Sequence, residues 1–205
     1  YQGVWPGIQV EEEGKTHAGP TGSPWIHTNA GFLRFVRAAT SAPVWMANLP
    51  PANRRLTVEH YQQAVADAAI AGARWVMALD AGFWEQLLKK DSKAVENWKR
   101  IHGVAAFYEA HPEWRTLRAT GGLAVLQEPD SGALLSGGIL DMIAVKHTPV
   151  RPVPLWKLDP ALLKGAQMAV NVDAESATPE QKEALRAFAR GGGTLLNGPP
   201  GNRGY

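Results

Sequence analysis

The chain contains no cysteine among its 205 residues. That excludes disulfides, thiolate metal sites and a cysteine nucleophile. It has no apolar run near the roughly 20 residues that a helix needs to span a bilayer, so no membrane partner is expected. It also lacks an excess of charge of either sign. The 21 Lys and Arg residues face 19 Asp and Glu, and the cations are scattered, so there is no nucleic-acid footprint. No G-x-S-x-G elbow, phosphate loop, strand-borne G-x-G-x-x-G or H-E-x-x-H is present, and no cofactor is expected. His17 and His27 flank a polar loop without further ligands at metal spacing, so they read as surface histidines and no metal is expected.

The 45% of hydrophobic residues suffices for a core, in one large or two small domains. The most complete unit is Thr57 to Asp80. Thr57 suits a helix N-cap, Val58, Tyr61, Val65, Ala68 and Ala69 recur at helical spacing, and Gly72 suits the left-handed residue after a helix. Ala73 to Leu79 then reads as a strand covered on both faces, since it is apolar almost throughout. Asp80 stands at its carboxyl end, where α/β folds tend to keep their chemistry.

Before this unit, Gly3 to Val10 reads as a strand running into Glu11-Glu12-Glu13. A long polar loop, Gly14 to His27, follows. Thr28 caps a helix over Asn29 to Ala39 with Phe32, Phe35 and Val36 as its buried stripe, and Pro43 to Leu49 reads as the next strand. After Asp80 come a short helix around Phe83 and Trp84 and a long one over Ser92 to Ala110, ended by His111-Pro112. Strand, loop and helix thus recur about three times, with long loops after strands, as on the active face of a (β/α) barrel. Three units cannot close a barrel of eight, so residues 1–118 are expected to be its last βα units.

Seven of the eight tryptophans precede Arg118, where the character of the chain changes. Residues 119–205 read as a second domain. Strands are expected at Gly121 to Gln127, Val150 to Leu155, Gly165 to Val172 and Thr194 to Asn197, and helices at Ser131 to Lys146 and from Thr178 to about Arg190. Thr178-Pro179-Glu180-Gln181 is a strong helix start, with a capping Thr, Pro in the first turn and Gln three residues after the cap. The β-α-β-β-α-β run predicts a flavodoxin-like doubly wound sheet cut off before completion. The chain opens at Tyr1 inside an apparent strand and stops at Tyr205 just past another, which predicts a piece of a longer protein.

Glu11, Glu12 and Glu13 are the sharpest candidates for chemistry, because a glycosidase needs two carboxyls about a glycosidic bond. Their bland reading is a solvated charge run opening a loop. Asp80 is the second candidate, and its bland reading is a helix cap. Trp25 and Trp84 suit a ligand wall, since indole faces stack on sugar rings. Trp45 and Trp75 are mid-strand and are expected to be buried.

The order of parts resembles a known family. The segments GIQVEEEG, PVWMANLPP and AGARWVMALD are followed by GGLAVLQEP, VPLWKLDPALLKGAQMAVNV and TPEQKEALRAFARGGGTLL. This layout is similar to glycoside hydrolases of the family 42 β-galactosidase type, whose barrel is followed by a glutamine-amidotransferase-like trimerisation domain. The resemblance implies an α/β fold made of the last βα units of a TIM barrel and a truncated flavodoxin-like domain. It also implies a carbohydrate substrate, hydrolysis of O-glycosidic bonds through a carboxylate pair, and homo-oligomers formed through the second domain. The expected nucleophile position, at the end of Pro43 to Leu49, holds Ala47, Asn48 and Leu49 instead of an acid. Either an acid from Glu11 to Glu13 takes that role or the protein is a non-catalytic binding or assembly module. Glu11, Glu12 and Asp80 are then the catalytic candidates, and Trp25, His27, Asn48 and Trp84 the substrate-binding ones. The second domain lacks the amidotransferase cysteine and is expected to be structural. A nucleotide-binding flavodoxin-like module is a third option.

Overall fold

The computed structural model describes residues 5, 10–12, 15–17, 29–50, 55–128, 139–140, 143, 148–172 and 174–198, with backbone alone for 10–12 and 15–17. The chain is α/β with parallel sheets and forms two compact units, residues 1–33 with 42–117 and residues 34–41 with 118–205.

In the first unit, β1 (Val10–Glu12) pairs antiparallel with β2 (Lys15–His17), with Glu11 opposite Thr16. This corrects two expectations. Among the described residues Glu11 and Glu12 lie in an antiparallel pair, and the segment expected as loop contains a strand. Lys-Thr-His has no apolar alternation, so its strand character comes from its partner. Helix α1 (Ala30–Ala39) buries Leu33 completely and Phe35 as expected, while Phe32, expected in the buried stripe, is 39% exposed. Leu33 packs with Met46, Ala68, Ala71 and Ala73, whose small side chains let the helices approach the strands.

Strand β3 (Trp45–Ala47) pairs in parallel with β4 (Arg74–Val76), with Trp45 opposite Arg74. Between them runs α2 (Val58–Ile70), which buries Tyr61, Ala64, Val65 and Ala68. Thr57 is its N-cap, and Gly72 takes φ 82° after its end, a conformation that favours glycine. Strand β4 is not covered on both faces: Arg74, Val76 and Met77 are exposed. Among the described residues β3 is its one ladder neighbour, and helices cover just the face that carries Met46 and Trp75. For the same reason Trp45, expected to be buried, is 51% exposed.

Helix α3 (Ala81–Leu88) starts at Asp80, and α4 (Ser92–Glu109) starts at Asp91, whose carboxylate accepts from the Ala94 N–H at 2.9 Å. Ile101 of α4 is fully buried in a core with Trp5, Tyr61, Ala64, Val65 and Phe83. A 3-10 turn, Pro112–Thr116, follows.

The second unit is a four-stranded parallel sheet in the order β6-β5-β7-β8, from β5 (Leu123–Gln127), β6 (Val150–Pro154), β7 (Met168–Asn171) and β8 (Thr194–Asn197). Alternate β5 residues enter two cores. Ala124 and Leu126 pack with Leu163 and Leu185, and Val125 packs with Leu140 and Val150. Strand β5 is therefore covered on both faces, as expected of a strand inside a parallel sheet, while the edge strand β8 is largely exposed. Gly121 enters β5 at φ 145°, and a Cβ there would lie 2.5 Å from the Pro149 carbonyl oxygen.

Helix α5 (Pro179–Arg190) begins as its sequence predicts. The Gln181 N–H donates to Thr178 Oγ1 at 3.3 Å, and the Thr178 N–H donates to Gln181 Oε1 at 2.8 Å. The amide of the same Gln181 side chain donates to the Leu155 carbonyl at 2.8 Å, tying the helix start to the Leu155–Lys157 turn after β6. Within this unit Phe35 meets Trp156 edge-on at 5.5 Å, and Lys157 donates to the Ala39 carbonyl.

Candidate functional site

Two regions of the first unit gather polar and aromatic side chains, one at the carboxyl ends of β3 and β4 and one alongside β4. At the carboxyl ends, Asp80 is 8% exposed and caps α3 through Oδ1, which accepts from the Phe83 N–H at 2.9 Å. Its Oδ2 accepts from the Tyr61 hydroxyl at 2.7 Å, and that hydroxyl in turn accepts from the Asp80 N–H at 2.9 Å. Burial pushes the Tyr61 hydroxyl pKa well above the ordinary tyrosine value, and the Asp80 carboxylate pushes the same way against the Asp80 N–H. Tyr61 is thus a neutral donor locked between a carboxylate and a backbone amide.

Asn48 is fully buried, and its Oδ1 accepts from the Trp75 indole N–H at 3.0 Å. The Trp5 indole N–H donates to the Leu49 carbonyl at 2.8 Å. Trp5 also meets Tyr61 and Trp75 edge-on, with ring centroids 5.3 and 6.0 Å apart. The strand ends are therefore laced by indole N–H groups and edge-to-face rings, an arrangement that fixes geometry. A cavity of about 80 Å³ lies beside Asp80, lined by Arg55, Tyr61, Gln86 and Asn97 among others.

Of the residues singled out in the sequence, Asp80 and Asn48 lie at these strand ends. Each oxygen of Asp80 already accepts a hydrogen bond. Trp84 is 53% exposed on α3. Glu11 and Glu12 lie in β1 with their side chains outside the described residues, as do Glu13, Trp25 and His27 entirely. Among the described residues, no group of three His, Asp or Glu could hold a metal ion.

The region alongside β4 was missed in the sequence. A cavity of about 260 Å³ is lined by Trp45, Arg74, Trp75, Tyr108, Glu109 and Arg115 with several apolar side chains. Arg74 lies over the Trp45 ring, 5.3 Å from its centroid. Arg115 donates to Glu109 Oε1 at 2.5 Å, and its Nε is buried without an acceptor among the described residues. One signal was available: Arg74 is a lone charge in an otherwise apolar strand segment.

In the second unit, Gln127 and Asn171 are buried at the carboxyl ends of the adjacent strands β5 and β7. The Asn171 amide donates to Asn197 Oδ1 at 3.3 Å. A neutral polar residue closing an apolar strand was their signal in the sequence.

Comparison with protein-family models, with curated proteins and with solved structures finds no match to this chain.

Proposed function

We propose that this chain is a carbohydrate-binding part of a glycoside-hydrolase-like protein, in which the described residues hold the ligand and either Glu11 or Glu12, neighbours on opposite faces of their strand, supplies one carboxylate of the cleaving pair. In this reading the first unit is the closing arc of a (β/α)8 barrel. The second is an incomplete flavodoxin-like, amidotransferase-like domain that supports homo-oligomers. Its strand order, 2-1-3-4 when numbered from β5, agrees with the start of the 2-1-3-4-5 order of flavodoxin-like sheets, and this supports the second assignment.

One observation favours holding over cleaving at the described strand ends. Both oxygens of Asp80 and the side-chain oxygen of Asn48 already accept buried hydrogen bonds from Tyr61, Phe83 and Trp75. A retaining pair also needs two carboxyls roughly 5–5.5 Å apart. Exposed Trp84 offers an indole face for a sugar ring.

The test uses a panel of aryl glycosides with wild-type protein and with the Glu11→Ala/Glu12→Ala double variant, alongside calorimetry with the same sugars. Turnover that the double variant loses while binding persists is the expected result for an active member. Sugar binding without turnover assigns the protein to the non-catalytic class. Absence of both turnover and binding across the panel overturns the carbohydrate reading.

A further inference from the structure

We propose that the cavity along β4, lined from Ala73 to Met77, is a binding site for a ring carboxylate, a small ligand with one flat apolar face and one carboxylate. This inference does not rest on the carbohydrate reading, whose residues Glu11, Glu12 and Trp84 do not line the cavity.

Charge sets the sign of the ligand. Among the cavity-lining residues, the Arg115 guanidinium is matched by Glu109 at 2.5 Å, which leaves Arg74 as the uncompensated charge. Arg74 is exposed and its guanidinium forms no ion pair among the described residues; it lies over the Trp45 ring, 5.3 Å from the centroid. A guanidinium lying over an indole keeps its edge N–H donors available for a planar anion, the geometry in which arginine pairs bidentately with a carboxylate. The wall is also short of acceptors, because Arg115 Nε is buried without one among the described residues. Two guanidiniums and one carboxylate favour an incoming anion over a cation.

Shape and lining set the body of the ligand. Trp45, Trp75 and Tyr108 supply aromatic surface, and Val65, Met77 and Ala105 supply aliphatic surface. Aromatic walls accept the C–H face of a pyranose or cyclohexane ring and the face of an aromatic ring alike. The volume of about 260 Å³ falls below the roughly 300–1,000 Å³ of clefts that enclose drug-sized ligands, so a single ring is the expected size. The same chemistry has two sources, a sugar acid of the uronate class and an aromatic or alicyclic acid.

Titration calorimetry on the whole chain would use methyl glucuronide, cyclohexanecarboxylate and benzoate, each beside its neutral counterpart: methyl glucoside, cyclohexanecarboxamide or benzamide. At least one acid is expected to bind about tenfold or more tightly than its counterpart, the lower end of what a charge-assisted hydrogen bond contributes. The acid that binds best identifies the source. Arg74→Met is expected to remove that preference while leaving the thermal midpoint near wild type, since the side chain is exposed. Trp45→Ala is expected to weaken acid and counterpart together. Equal affinity for every acid and its neutral counterpart would overturn the proposal, as would a preference that survives in Arg74→Met or no binding of any acid at millimolar concentration.

Discussion

Tyr61→Phe isolates one hydroxyl that makes two buried hydrogen bonds. In the wild type it donates to Asp80 Oδ2 at 2.7 Å and accepts from the Asp80 N–H at 2.9 Å. Tyr61 is 1% exposed and Asp80 8%, so both partners of these bonds are buried. The bond to the ionised carboxylate is worth about 1.5–3 kcal/mol and the one from the backbone amide about 1 kcal/mol. The ring, its edge contact with Trp5 and the cap from Asp80 to Phe83 all persist, so packing changes little. The first unit should lose about 2–4 kcal/mol, a large share of the stability of a domain this size. Urea unfolding followed by tryptophan fluorescence is the assay, because Trp5 and Trp75 border Tyr61. The midpoint should fall with the slope unchanged. There is a second signature in pH. Burial raises the Tyr61 pKa from 10.0, so the fold favours the protonated hydroxyl. Its contribution is fully present below pH 10 and is lost as pH rises above that. Tyr61→Phe should flatten that alkaline decline. A midpoint shift worth less than about 0.5 kcal/mol, the size of an ordinary surface substitution, would refute the reasoning.

Further substitutions test other parts of the fold. Asp80→Asn keeps an acceptor for Phe83 but removes the anion facing Tyr61, and should cost about 1–3 kcal/mol by the same denaturation assay. Thr178→Ala should destabilise the second unit by about 1 kcal/mol through loss of the cap, with a matching drop in thermal midpoint. Gly121→Ala combines a disfavoured φ of 145° with a Cβ 2.5 Å from a backbone oxygen that cannot easily retreat. It should cost about 2 kcal/mol or more and lower the yield of folded protein. Ile101→Ala should cost about 2–5 kcal/mol, read as a shifted urea midpoint.

Signals confined to a few neighbouring residues were legible in the sequence. Thr178, Pro179 and Gln181 mark the start of α5 because capping is local chemistry, and the fourth strand of the sheet was read at its observed bounds. Thr57 and Gly72 likewise bracket α2. What failed depends on distant neighbours. Ala73 to Leu79 has the composition of a strand buried on both faces, yet burial needs a covering layer, and the described fold supplies one on a single side. On α1 Phe35 is buried as read, but Leu33 takes the place expected of Phe32 because it is Leu33 that meets Met46 and Ala68. At the candidate site the position of Asp80 after its strand was legible. Its engagement was not, because the partner is Tyr61, 19 residues earlier, and no local pattern pairs them. Trp45 and Arg74 lie 29 residues apart in the chain, and parallel register alone sets them side by side.

Gln181 has one further consequence. Helix ends ordinarily fray, so amides of a first turn exchange with solvent long before the rest of a domain opens. Here the residue that closes the helix start also holds the Leu155 carbonyl. Deuterium uptake at the Gln181 amide should therefore report the slower parting of two segments 26 residues apart, and this helix entrance behaves as a clasp between them.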